Sequence, residues 1–195
     1  MAEHGTLSCR GALRGAAVAI AILIALIATA CGESKSEKEA GRYADSLCTN
    51  ISTWESQIGA IAVSLGSGSP KSVAQSKLAH AETATVSLVR QIHELEVPDV
   101  DGADEAKQNV DRFVTDSNSA MAVVKAGATQ IKSFGTGTAN VATVAVPLGL
   151  QLANLAREGE STVSSLETIK GPFENAVKDS DPCQELNPQR NEDQS

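Results

Sequence analysis

The chain has 195 residues, enough for one domain with its own core, and only 3% of them are aromatic. An apolar content drawn mainly from Ala, Val, Leu and Ile favours packed helices over an aromatic-rich β-sandwich. The formal net charge of -8 argues against nucleic acid as a partner and against adsorption of the folded part to anionic lipid, since both need clustered Lys and Arg.

The N-terminal region carries Arg10 and Arg14 and is followed by an uncharged run over residues 15–30, "GAAVAIAILIALIATA". A spanning helix needs about 20 apolar residues, and this run is shorter. A basic start, an apolar middle and a small-residue end read as a signal segment, with a permanent anchor helix as the alternative.

At the end of the run stand Ala28, Thr29, Ala30 and Cys31. They resemble the lipobox of bacterial lipoprotein precursors, with Ala28 where that motif most often has Leu. An ordinary secretory signal with a nearby Cys is the competing reading. The resemblance implies removal of residues 1–30 and lipid attachment at the Cys31 thiol. It also implies a lipid-anchored place on the extracytoplasmic face of the cell membrane. Residues 31–41, "CGESKSEKEAG", would then be the lipidated Cys and a flexible tether. Two or three acyl chains hold where one does not, because each buried methylene contributes about 0.8 kcal/mol.

Cysteine usage follows from that address. Cys9 falls in the removed segment and Cys31 carries lipid, leaving Cys48 and Cys183. An isolated pair in an exported domain reads as one disulfide. Neither zinc spacing nor C-x-x-C is present.

Residues 42–187 form the expected domain, and 188–195 the expected disordered tail. From Tyr43 to Leu65 the apolar residues Leu47, Ile51, Trp54, Ile58, Ile61 and Leu65 repeat at spacings of three and four, a helical seam. Trp54 on that seam reads as core. "GSGSP" at 66–70 breaks the pattern, with Ser69 a candidate cap for the next helix. That helix is expected to reach about Val97, on Leu78, Ala81, Thr85, Leu88, Ile92 and Leu95, widened by Val86 and Val89. Pro98 closes it. A third helix starts near Ala103 or Asp104 on Ala106, Val110, Phe113, Ser117, Ala120, Val124 and Ile131, with Asp104 and Glu105 suited to its positive end. "FGTGT" at 134–138 is the next break.

The fourth segment has no charge between Lys132 and Arg157 and contains Pro147 and Gly149. Three readings stay open: a kinked helix buried on several faces, a short strand before a helix from about Leu148, or an apolar patch for membrane or partner. Leu155, Thr162, Leu166 and Ile169 return to helical spacing. "KGPF" opens a last short helix on Pro172, which "DSDPC" ends.

The expectation is therefore all-α: an up-down-up-down four-helix bundle with a kinked fourth helix and one disulfide, preceded by a signal peptide and tether. An even helix count returns the C-terminus to Cys48, whereas three would leave the cysteines ~35 Å apart.

The motifs point to no catalysis and no cofactor. His80 and His93 are too far apart along one helix to share a metal, and Arg90 stands where a helical di-metal motif would place Glu. P-loop, H-E-x-x-H and G-x-S-x-G patterns are missing from the sequence. Beyond the lipobox, the Ala-rich helical pattern with one early and one late Cys resembles small lipoproteins of actinobacteria, and that likeness implies no activity. The expected function is a membrane-tethered interaction module with an envelope protein as partner. The alternative is a carrier or sensor of a small apolar ligand or lipid. For either, Val144, Pro147 and Leu148 are the candidate surface.

Overall fold

A computed structural model of the chain describes residues 34–135 and 138–187. The expected signal segment, Cys31 and the tail 188–195 lie outside the described residues. Those described form six α-helices and no strand: α1 Lys35–Gly66, α2 Lys71–His93, α3 Ala103–Ser133, α4 Thr138–Leu166, α5 Pro172–Asp179 and α6 Asp181–Leu186. None is long and apolar enough to cross a membrane.

Helix α1 corrects the tether. It starts at Lys35, so most of 31–41 is helix. The polar composition of this stretch describes a solvated face, and Glu, Lys and Ala are good helix formers. Ala40, Tyr43 and Ala44 are buried, continuing the seam of Leu47 one to two turns further back. That seam is otherwise as the spacing predicts, with Leu47, Ile51, Trp54, Ile58, Ile61 and Leu65 all in the core.

Two local expectations around α2 fail for identifiable reasons. Ser69 does not cap it; its hydroxyl turns back to donate to the Ser64 carbonyl at 2.5 Å, closing the end of α1. Pro70 takes the cap position with no side-chain bond. The helix also stops at His93, short of Val97. Glu94 N–H closes on the Arg90 carbonyl and Leu95 N–H on the Ile92 carbonyl, and Leu95 packs half-buried against the core from outside the helix. Val86 is 61% exposed, so it does not widen the buried face.

The remaining joints follow local chemistry. α3 begins at Ala103 behind Gly102, whose φ of 91° needs a residue without Cβ. Pro172 opens α5 as expected. "DSDPC" ends α5 at Asp179 as expected, but α5 is not the last helix: Ser180 separates it from α6, and Pro182 sits in the first turn of α6.

Helix α4 settles one of the open readings. It is helical from Thr138 with Pro147 inside it, so there is no strand before Leu148. Proline removes the donor that would serve the carbonyl four residues back. Here that residue is Thr143, which like Pro147 lies on the exposed side of the helix.

Side-chain contacts tie the long helices together. Trp54 of α1 donates through Nε1 to Thr85 Oγ1 of α2 at 3.0 Å, and Thr85 donates in turn to the Ala81 carbonyl at 2.9 Å. The Trp54 ring meets Phe113 of α3 edge-on with centroids 5.4 Å apart. Lys125 of α3 pairs with Glu82 of α2 at 2.9 Å. Lys71 at the start of α2 donates to the Lys132 carbonyl at the end of α3 at 2.9 Å.

Candidate functional site

The cysteine pair is bonded. Cys48 on α1 and Cys183 on α6 have Cα atoms 5.0 Å apart and close a separation of 135 residues. Both are fully buried. α6 is short; the bond ties it to α1, and its Leu186 is buried. Close by on α1, Tyr43 stacks obliquely on Phe173 of α5 at 5.9 Å. Burial, then the charge of Asp111, pushes the Tyr43 hydroxyl above its ordinary range, so it stays a neutral packing group.

The residues Val144, Pro147 and Leu148 do not form one surface. Val144 is half-buried and Pro147 exposed, but Leu148 is buried and seated on Gly127 of α3, where an added Cβ would collide with it. One residue on, Gly149 brings α4 against the α1 backbone: a Cβ there would stand 2.8 Å from the Ala62 carbonyl oxygen and 3.1 Å from Gly66 N. The most exposed large apolar side chains are others: Val63 at 75%, Leu150 at 65%, Val86 at 61% and Val123 at 50%.

The surface clefts are open. One of about 470 Å³ lies between the first half of α1 and the loop after α2, lined by Glu39, Arg42, Tyr43, Glu94, Glu96 and Asp99 among others. Another of about 430 Å³ runs between α3 and α4, past Asp116, Val123, Gln151 and Glu158. Val144, Pro147 and Leu148 line neither. His80 and His93 are exposed on α2. Among the described residues no three His, Cys, Asp or Glu side chains gather as a metal site would require.

One constellation escaped the sequence reading. Glu55 of α1 and Glu160 of α4 are neighbours across the seam between their helices. Burial first, then the bond and charge of Glu160, push Glu55 up to about 7. Its Oε2 is buried without a hydrogen-bond partner. The signal available was weak: Glu55 is the sole charged residue between Asp45 and Lys71.

Against known proteins the chain stands alone, with no family model, curated protein or solved structure matching it.

Proposed function

We propose that this protein is an extracytoplasmic lipoprotein whose helical domain serves as an interaction module held at the cell membrane by acyl chains on Cys31. The observation that carries the reading is the buried Cys48–Cys183 bond. Such bonds persist in oxidising compartments outside the cytoplasm, which is where a lipobox ending in Cys31 would deliver the chain. Because α1 starts at Lys35, only residues 32–34 separate it from that Cys. Three residues reach at most ~10 Å, so an acylated Cys31 would keep the domain close to the membrane.

The same reading orders the long helices as an up-down-up-down bundle. Four contacts support it. Gly149 lies on Ala62–Gly66 while Gly159, further along α4, lies on the earlier Ile51, as antiparallel α1 and α4 require. Lys71 meets Lys132, and the later Glu82 meets the earlier Lys125, as antiparallel α2 and α3 require. The partner is proposed to be an envelope protein. The exposed apolar residues Leu150, Val63 and Val123 favour a protein surface over an enclosed ligand.

Mass spectrometry of the protein from its native membrane tests the anchor. The expected N-terminus is an acylated Cys31, and Cys31→Ala should leave the precursor uncleaved. A mature N-terminus elsewhere, without lipid, would sink the reading.

A further inference from the structure

Three exposed apolar side chains stand at one level on three neighbouring helices. Gly149 of α4 lies against Ala62 and Gly66 of α1, which brings Val63 of α1 level with Leu150 of α4. On the other flank of α4, Leu148 is seated on Gly127 of α3, and Val123 of α3 lines one cleft with Gln151 of α4. Val63, Leu150 and Val123 are all exposed, so they form a transverse row with Leu150 at its centre. Val86 on α2 is exposed too, but Glu82 and Arg90 stand one turn to either side of it.

The ground around the row carries no charge. The chain has no charged residue over 56–70, 117–124 and 133–156, the stretches of α1, α3 and α4 that hold the row. Lys125, the next charge on α3, is turned to Glu82 of α2. Ser119, Gln151 and Asn154 add uncharged polar groups along the α3–α4 cleft. An apolar centre with a polar border is the make-up of a protein interface, and contacts between identical subunits are the more apolar kind.

Charge and size favour one occupant. Copies of a chain with net charge -8 repel each other over most of their surface, and they approach at least cost where both faces lack charge. A different protein drawn to an acidic chain would use complementary charge for recognition, and this face offers it none. The row spans two helix spacings, about 20 Å, and the uncharged part of α4 runs for about 25 Å. Two such faces bury about 1,000 Å² together, the lower limit of a specific interface. A contact of that size is weak, so the chain is monomeric at low micromolar concentration and pairs when concentrated.

We propose that this face is a homodimer contact, on which a second copy of the chain docks about a two-fold axis near Leu150. An isologous contact centred there sets Leu150 of one copy against Leu150 of the other. The proposal rests on the interaction-module reading and names its partner. Acyl chains on Cys31 would confine the copies to one surface and raise their local concentration into the range where the contact closes.

Sedimentation of the purified full chain in detergent, from low micromolar to near-millimolar concentration, tests the contact. The wild type should pass from monomer to dimer. Leu150→Glu sets two like charges at the centre and should weaken association about tenfold or more. Val86→Glu adds the same charge outside the face and should change it by no more than about twofold. Both positions are exposed, so the monomer keeps its fold, which circular dichroism checks. Any association through residues 1–33 is common to all three proteins. Equal weakening by both substitutions, or a wild type that stays monomeric, overturns the proposal. Leu150→Cys gives a second readout: oxidation should link position 150 of one copy to position 150 of another, as mapped by mass spectrometry, and absence of that link counts against the contact. Cross-linking through the same cysteine in the native membrane separates the two readings. Capture of a different protein there, with the purified chain monomeric, overturns the second copy and leaves the interaction module standing. Capture of no protein at all removes both.

Discussion

The two halves of α4 meet the same neighbour, α1, by opposite means. The first half, through Ala156, carries no charge and packs by omission: Gly149 removes a side chain so that backbone meets backbone at Ala62 and Gly66. The second half also uses a glycine, Gly159, but the close approach there brings in Glu160 and its counterpart Glu55. Beyond the charged half, the chain turns through α5 into α6 and returns to α1 at the disulfide.

The largest effect is expected from cutting that return. The bond closes a separation of 135 residues, and chain-entropy models give such a closure on the order of 4–5 kcal/mol, an upper figure because reduced chains retain structure. Cys48→Ala/Cys183→Ala should therefore lower denaturant-measured stability by several kcal/mol. Hydrogen exchange should show α6 losing protection first, since its six residues cannot hold helical form without tertiary contacts. Equal loss of protection along all of α4 would mean that the bond supports the entire fold and not its terminus.

Gly149→Ala probes the dry half. The new methyl would sit 2.8 Å from the Ala62 oxygen and 3.1 Å from Gly66 N. Both are backbone atoms that cannot rotate away, so the helices must part. The gain in helix propensity, about 1 kcal/mol, opposes a packing strain of about 1–3 kcal/mol. A net loss of up to about 2 kcal/mol in urea unfolding is expected. Because this contact is uncharged, the loss should be equal at pH 5 and pH 8. A pH-dependent loss would show the two halves of α4 acting as one unit.

This contrast also explains what the sequence could disclose. Along α1, apolar residues alternate with polar ones at spacings of three and four, and every residue of the expected seam is buried. On α4 between Lys132 and Arg157 there is no charged residue to mark the outer face. The pattern therefore could not tell Leu148, which is buried, from Leu150, which is exposed. The tether was misjudged for a related reason. Polar composition reports solvent contact but not backbone state, and Ala40 and Ala44 were too small to announce the buried edge of a helix. Glu55 and Glu160 were out of reach because their meeting depends on helix order and on the closeness that Gly159 permits. The disulfide was legible because only two cysteines remain once Cys9 and Cys31 are set aside.

Leu150→Ser gives the smallest expected effect and is the sharpest check on the face of α4. Leu150 is 65% exposed, so removing it costs the monomer little contact, and substitutions at such sites usually stay within about 0.5 kcal/mol. Its neighbour Leu148 sits in the core against Gly127. A stability change at 150 within that range fits a face that meets solvent in the isolated chain. A loss of about 2 kcal/mol or more, the size of burying a whole leucine, would mean that this side chain is covered in solution. A loss that grows with protein concentration would identify the cover as a second copy. A concentration-independent loss would instead place the cover within the chain and remove Leu150 from the surface proposed for a partner.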